Sequence, residues 1–306
     1  MDVDSSELPP QPPSGVRDIE PPVARTGPPK RLSPSSAGTF QQCPKRWKMR
    51  YMDRLPDPPG QAALAGTFSH LVLEHLLQAP SAERTKERAK ELARKHWPEI
   101  ENDDDYLALD LDEEQGRHFR WMAWKAIEGL WTLENPEEVD VEATEQLIDA
   151  EIDGVPFRGI VDRLDREADG LVVSDYKSGK APRPRYVDGR LAQVLLYAAA
   201  IANDLGERPK RARLLYLGQR TIETDVTDGA LEVVAGELGE TWASMNASCD
   251  SGEFAAKTGP LCGWCPFVAQ CAEGTAEVRS RLDRGMMRLD APAVEVVAPL
   301  PVPQAV

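Results

Sequence analysis

Two aspartates and a lysine stand where they could act on a phosphate ester. Asp162 comes late in one strand-like segment, and Asp175 and Lys177 come late in the next, after a turn signal at Asp169-Gly170. Because side chains alternate across a strand, Asp175 and Lys177 project from one face and Tyr176 from the other. If Asp162 ends its strand, the two carboxylates converge, and they repel each other unless a divalent cation lies between them. An ammonium group beside such a cation suits phosphodiester cleavage.

Polar residues on two predicted helices could complete such a site. Gly66 and His70 lie one turn apart, so the glycine leaves room beside an imidazole that can bind a cation through a neutral ring nitrogen. Gln193 and Tyr197 share one face of a later helix, opposite its apolar stripe. Each feature also has a plainer interpretation, because hairpin-end aspartates, surface lysines, structural histidines and polar helix faces are all common.

The order of these motifs resembles a known family. Asp162 followed by Asp175-x-Lys177 resembles the PD-(D/E)XK nuclease signature, and the run Gly159-Ile160-Val161-Asp162-Arg163-Leu164-Asp165 resembles that of RecB-family exonucleases. Gly66-x-x-x-His70 upstream and Gln193-x-x-x-Tyr197 downstream resemble the family's helical elements. The agreement extends over residues 32 to 275. It implies an α/β (mixed α+β) fold with a restriction-endonuclease-like core sheet flanked by helices, an N-terminal helical part and a C-terminal Cys-rich segment.

The resemblance implies a metal-dependent DNA exonuclease that hydrolyses phosphodiester bonds of single-stranded DNA or DNA ends, in DNA repair or recombination. An alternative is a non-catalytic module that binds single-stranded DNA and carries a structural metal cluster. A helicase acting in trans is an expected partner. The family's site residues carry over as His70, Asp162, Asp175 and the main-chain carbonyl of Tyr176 for Mg²⁺ or Mn²⁺, Lys177 as the catalytic lysine, Gln193 and Tyr197 beside it, and Glu145 as a supporting carboxylate.

Four of the five cysteines form a second pattern. Cys262, Cys265 and Cys271 supply three thiolates within ten residues, and a closed metal site needs a fourth, for which Cys43 is the candidate. This split arrangement resembles that of RecB-family nucleases of the AddB and CRISPR-adaptation types, which implies a [4Fe-4S] cluster. A structural Zn²⁺ site is the alternative to the cluster. A zinc-containing protein unrelated to nucleic acid is a third possibility. Cys249 lies outside the pattern.

Charge is distributed unevenly along the chain. The formal net charge is −15, which argues weakly against a nucleic-acid partner, although local fields decide phosphate binding. Two basic clusters could follow a phosphate backbone. They are Lys45, Arg46, Lys48, Arg50 and Arg54 after the first cysteine, and Lys180, Arg183, Arg185 and Arg190 after the catalytic lysine.

The spacing of apolar residues predicts the helices and strands that would position these residues. Helical spacing comes first along the chain, strand-like alternation follows, and a mixture of both comes last. The segments predicted as helices are 61–77, 81–96, 112–133, 191–205 and 231–245, and those predicted as strands are 139–152, 155–164, 171–176, 212–217 and 221–226. A helix is also expected to begin at Ser33-Pro34.

Composition sets the domain limits. Residues 1–30 read as a disordered Pro-rich arm and residues 290–306 as a disordered tail, which leaves 31–289 as a single domain. No window approaches 18 uninterrupted apolar residues, so no membrane span is expected. The sequence starts without a basic and then apolar leader, so cytoplasmic localisation is expected.

Overall fold

The computed structural model describes residues 27–297. Most of the predicted Pro-rich arm, residues 1–26, and the end of the predicted tail, residues 298–306, lie outside the described residues. Within the described part, no helix has the length and apolar character needed to cross a bilayer.

A single five-stranded sheet forms the centre of the fold. Its strands lie side by side in chain order. The first three form the predicted antiparallel meander, and its first turn has positive φ angles at Asp153 and Gly154, as a two-residue hairpin requires. The strands are β1 (Val141–Ile152), β2 (Val155–Glu167), β3 (Gly170–Lys177), β4 (Arg211–Tyr216) and β5 (Arg220–Asp225).

One strand pair is parallel, which the sequence patterns did not specify. Strand β4 runs parallel to β3, because the helix between them, α7 (Asp188–Leu205), carries the chain back across the sheet. Strand β5 then returns antiparallel to β4. The carboxyl end of β3 is therefore followed by a crossover helix that packs on the sheet beside it, which matters for the candidate site.

Ten α-helices surround the sheet in the described part of the chain. The first begins as predicted, with Ser33 as the N-cap that accepts from the N–H of Ser36 and Pro34 in the first turn. The helices are α1 (Pro34–Gln42), α2 (Pro44–Trp47), α3 (Gln61–Gln78), α4 (Lys86–Glu101), α5 (Asp104–Leu107), α6 (Glu113–Glu128), α7 (Asp188–Leu205), α8 (Asp228–Ser251), α9 (Ala272–Asp283) and α10 (Ala293–Val297).

The sheet is covered on both faces. Alternation along the strands sends Leu214 and Tyr216 to a core shared with α1, α7 and α8, and sends Tyr176 and Leu215 to a second core shared with α3, α4 and α6. The predicted mixed α/β fold, with a sheet flanked by helices, is confirmed. The site residues can therefore come from elements on both sides of the sheet.

The ends of several predicted segments differ from the structure. The helix predicted over 81–96 begins only at Lys86, after a short 3₁₀ turn, because Thr85 caps it. The helix predicted over 112–133 ends at Glu128 and continues as another 3₁₀ turn. The predicted tail contains α10, because Ala293 and Val297 are buried in a small apolar cluster with residues of α9 and the Cys-rich segment.

Candidate metal centre

The antiparallel sheet opens at Asp162. The registered pairs of β2 with β3 extend from Glu167–Gly170 to Arg163–Ser174, and at the next position the carboxylate of Asp162 accepts the N–H of Tyr176 at 2.7 Å. A side chain thus replaces the backbone acceptor. Asp162 is therefore not at the end of its strand, as the convergence argument assumed, because β2 continues to Glu167 along β3.

Three side chains from three elements converge at this opening. The ligand atoms of His70 on α3, Glu145 on β1 and Asp162 on β2 lie within 4.8 Å of one another. Nδ1 of His70 lies 3.4 Å from Oδ2 of Asp162. Two carboxylates and an imidazole are a donor set that suits a divalent cation.

Glu145 reaches this group through an irregular backbone. Its φ of 47° lies in the left-handed region, which costs a non-glycine residue free energy. It occurs between the registered pairs Thr144–Arg163 and Gln146–Val161. The sequence offered Glu145 only as one of several candidates in an acidic segment, and the structure selects it by position.

A second group of side chains lies on the α7 side of β3. Nζ of Lys177 lies 2.5 Å from Oδ2 of Asp175 and donates to Oε1 of Gln193 at 3.0 Å. Nε2 of Gln193 donates to Oδ1 of Asp175 at 3.0 Å and to the hydroxyl of Tyr197 at 3.3 Å. Gln193 therefore links the carboxylate of Asp175 and the ammonium of Lys177.

Tyr197 and Gly66 have surroundings that the sequence did not indicate. Tyr197 is only 6% exposed, so it is not part of a polar surface. Its ring packs directly on Gly159, because a Cβ at that glycine would lie only 2.4 Å from Cε1 of Tyr197. A Cβ on Gly66 would lie 2.6 Å from Oγ of Ser178. Gly66 therefore admits the chain just after Lys177, rather than making room beside the imidazole of His70.

Burial, together with neighbouring negative charge, raises the pKa of two carboxyl groups. Burial, and then the charges of Asp162 and Glu74, raise the pKa of Glu145 to about 7. Burial and the charge of Asp162 raise the pKa of Asp175 to about 6, against the opposing effect of Lys177. A cation that binds among these groups would favour their ionised forms.

The pKa of the His70 imidazole is also raised, although burial acts on it in the opposite direction. Burial lowers the pKa of His70, but the hydrogen bond and charge of Asp162 outweigh burial, so the net shift is upward. Without a cation, His70 therefore tends to hold a second proton and donate to Asp162. A metal would bind the neutral ring instead.

The face of β3 opposite Asp175 is fixed by a buried arginine. Arg163 donates to the hydroxyl of Tyr176 at 3.0 Å and to Oε2 of Glu134 at 2.9 Å, and the Tyr176 ring packs edge-on against His70 with centroids 5.7 Å apart. Sequence reasoning missed Glu134, which lies 29 positions before Arg163. Arg163 itself gave little signal, because Asp162, Asp165 and Arg166 around it in the strand are also charged.

The four predicted cysteines come together from the two ends of the described chain. They line one cavity of about 30 Å³. Among the described residues no three of their sulfurs lie within 4.8 Å of one another, whereas a single tetrahedral Zn²⁺ holds its sulfurs roughly 3.8 Å apart. Cys249 packs separately at the edge of the α7 core. The four are Cys43, Cys262, Cys265 and Cys271.

The two basic clusters differ in their pairing. In the first, Lys45, Lys48 and Arg50 each form an ion pair with a carboxylate. The second occupies the connection from β3 to α7 and, with Arg190, the first turn of α7. In the connection, Arg185 lies over the exposed ring of Tyr186 at 4.7 Å. The second cluster is therefore better placed for an anion next to the candidate site.

Sequence comparison places these observations in a family. The profile of the PD-(D/E)XK nuclease superfamily matches residues 31–272. An ATP-dependent helicase/nuclease component from Pelotomaculum thermopropionicum is 30% identical over 169 residues, 53% of this chain and 13% of that protein. The Gene 69 protein of Mycobacterium phage L5 is 24% identical over 290 residues, 78% of this chain and 95% of that protein.

A third relative has a related name. This ATP-dependent helicase/deoxyribonuclease component from Streptococcus mutans is 26% identical over 211 residues, 65% of this chain and 19% of that protein. The chain thus spans less than a fifth of the length of the two helicase/nuclease relatives.

Proposed function

The chain belongs to the PD-(D/E)XK nuclease superfamily, and from that premise we propose that it is a metal-dependent DNA exonuclease acting on single strands or DNA ends. The observation that carries the proposal is the convergence of His70, Glu145 and Asp162 beside the linked pair of Asp175 and Lys177. Two groups of residues with distinct chemistry, one for a cation and one with a fixed ammonium, meet where the sheet opens.

The residues fit a hard divalent cation. His70, Asp162, Asp175 and the main-chain carbonyl of Tyr176 would hold Mg²⁺ or Mn²⁺, with Glu145 as a further carboxylate ligand. Burial and then the charge of Asp162 raise the pKa values of Glu145 and Asp175, and a cation bound among these groups would favour their ionised forms. When bound, such a cation supplies Lewis-acid stabilisation of charge on the phosphoryl oxygens.

The chain's own residues supply orientation and a second positive charge. Gln193 accepts from Lys177 and donates to Asp175, which fixes the ammonium next to the carboxylate. From there Lys177 can offset the negative charge that develops on a phosphodiester during hydrolysis. The hydroxyl of Tyr197 accepts from Gln193 and holds the amide orientation, while Gly159 gives its ring space.

The test is cleavage of end-labelled single- and double-stranded DNA with Mn²⁺, with Mg²⁺ and with chelator. Lys177→Ala and Asp175→Asn should each lower Mn²⁺-dependent cleavage on the order of 10²–10³-fold, the usual loss for a charge-stabilising group. Lys95→Ala, an exposed lysine on α4, is the matched control and should cleave normally. Full activity of Lys177→Ala in folded protein would refute the assignment, and binding without cleavage by the wild type would favour the non-catalytic module.

We propose that the four cysteines hold a [4Fe-4S] cluster that joins the N-terminal helices to the Cys-rich segment. Their shared cavity supports this, and a cubane separates its thiolates more widely than one Zn²⁺ does. Anaerobically purified protein should contain iron and sulfide and absorb broadly in the visible range. Cys43→Ser should lose this absorption and Cys249→Ser should keep it; colourless protein with one equivalent of zinc would favour the zinc alternative.

We also propose that a helicase acts in trans and that the substrate is cellular DNA undergoing repair or recombination in the cytoplasm. Two relatives of this chain are named as helicase/nuclease components, and this supports a helicase as partner. Blunt duplex DNA should then be degraded more slowly than single strands, and an added helicase with ATP should remove the difference. Equal rates on both substrates without a helicase would contradict this part.

A further inference from the structure

The solvent face of the β1–β2 hairpin carries an exposed aliphatic pair next to the metal centre. Leu147 lies opposite Ile160 in the strand register, and their side chains are 52% and 49% exposed. Their sequence neighbours Ile148 and Val161 are fully buried on the other face. Ile148 and Val161 belong to the core shared with α7, whereas His70 is on α3, which covers the opposite face. Leu147 and Ile160 therefore lie on the face where Glu145 and Asp162 converge with His70.

The next cross-strand pair on this face is charged. Arg158 lies opposite Asp149 and donates to it through Nε at 3.1 Å, and Arg31 donates to the same carboxylate. Two guanidinium groups thus surround one carboxylate and leave a positive charge in excess. All three side chains are about half exposed, so water or an anion can reach them.

The face therefore presents three kinds of surface in a row. The metal-binding carboxylates come first, the aliphatic pair second and the arginine pair third, each about 7 Å from the next, since two residues of a strand span that distance. A nucleic-acid strand repeats an anionic phosphate and a largely apolar base and sugar. The order of the three surfaces matches that alternation.

We propose that this face is the track of the DNA strand leading away from the metal centre, with Leu147 and Ile160 contacting a base near the reacting phosphate and Arg158 and Arg31 contacting a phosphate further along the strand, about two nucleotides away. The proposal rests on the proposed nuclease function and names where its substrate lies. An aliphatic pair alone would also suit a protein partner. Continuity with the metal ligands on one side and with excess positive charge on the other favours a nucleotide.

The experiment measures binding of a labelled single-stranded oligonucleotide in Ca²⁺, by fluorescence anisotropy, to wild type and to the double variant Leu147→Ser/Ile160→Ser. A series of oligonucleotides carries one abasic site at successive positions. With wild type, one position should weaken binding about 5–10-fold, as loss of a base contact does. The double variant should bind intact DNA weaker by a similar factor and lose no further affinity at that position.

Two further variants sharpen the readout. Val233→Ser, at a valine on α8 that is 61% exposed, is the matched surface control and should bind like wild type. Arg158→Gln should lower the slope of log affinity against log salt concentration by about 0.7, the value for one phosphate contact on a single strand. Circular dichroism should show all variants folded, because every changed side chain is at the surface.

The outcomes separate the two proposals. If wild type neither binds nor cleaves DNA, the nuclease proposal fails and the track with it. If wild type binds and cleaves DNA while the double variant responds to every abasic site as wild type does, the track is wrong and the nuclease proposal stands. If the double variant changes only the sedimentation of the protein, the aliphatic pair belongs to a contact between chains and the track is again wrong.

Discussion

Replacement of Arg163 by methionine is expected to destabilise the protein strongly. The side chain is fully buried, donates to Glu134 at 2.9 Å and to Tyr176 at 3.0 Å, and has Nε 2.8 Å from Oδ1 of Asp165. Methionine fills a similar volume but donates no hydrogen bond. The change leaves the carboxylate of Asp165, which is 1% exposed, without this partner.

The expected cost follows from that desolvation. Removing one member of a buried ion pair costs about 3–5 kcal/mol when the remaining charge is left unpaired, and because Arg213 still contacts Asp165 the lower end of that range is expected here. Since a protein is stable by only about 5–15 kcal/mol, this is a large fraction of the total. The urea midpoint should fall with little change in slope, and the thermal midpoint should fall on the order of 10 °C.

Arg166→Met is the matched control for this prediction. Arg166 is three residues along the same strand and also pairs with two carboxylates, Glu142 and Glu207, but its side chain is 37% exposed. An exposed pair contributes about 0–1 kcal/mol. If Arg163→Met costs no more than Arg166→Met, burial does not give the arginine network its stabilising effect, and the reasoning fails.

Three further predictions concern Gly159 and the titration of Glu145. Gly159→Ala should lower the free energy of unfolding in urea by about 1–3 kcal/mol, because its Cβ would be 2.4 Å from the Tyr197 ring. Gly179→Ala, with open space around it, should lower this free energy little, and equal urea midpoints for the two variants would contradict the close packing. Since the pKa of Glu145 is raised to about 7, Mn²⁺ should bind about tenfold more weakly for each pH unit below that value, as measured by calorimetry. Glu145→Gln should flatten this pH dependence, and an Mn²⁺ affinity of the wild type that does not change over this range would contradict the prediction. In metal-free protein the same raised pKa means that the folded state holds the Glu145 proton more tightly than the unfolded chain does. The stabilisation from this proton is therefore present below about pH 4.5 and is lost as pH rises through about 7. A thermal midpoint that rises over this pH range, or that Mn²⁺ does not restore, would contradict the assignment.

Local rules account for most of what the sequence predicted about the site. Strand alternation separates Asp175 and Lys177 from Tyr176, and helical spacing brings Gln193 and Tyr197 together. Both rules depend only on neighbours within four positions. The residues they relate are found in contact, although the surroundings of Tyr197 are apolar where the helical pattern predicted a polar surface.

Contacts between distant segments could not be read in this way. The selection of Glu145 from an acidic segment depends on a positive φ and on its position opposite Asp162, neither of which has a local signal. The position of Gly66 against Ser178 depends on how α3 crosses the end of β3. The parallel pairing of β4 with β3 depends on the path of α7 across the sheet.

Two groups of charged residues lie on the two sides of β3, and they differ in how well their positive and negative charges match. On the Tyr176 side, Arg163 contacts Glu134 and Asp165, and Arg213 contacts Asp165 and Glu167, so each of these carboxylates has a guanidinium partner. Such matching allows charged groups to remain buried in a stable protein.

At the opening of the sheet the balance is broken. This group contains three carboxylates and two basic side chains, namely Glu145, Asp162, Asp175, Lys177 and His70. The pKa values of Glu145, Asp175 and His70 are all raised. Burial is the largest cause of the two carboxyl shifts, and the charge of Asp162 contributes to all three, so Lys177 does not offset the negative charge of this group. A divalent cation would restore the balance without filling the space that a phosphodiester needs, which supports the proposal that this end of the sheet is the active site.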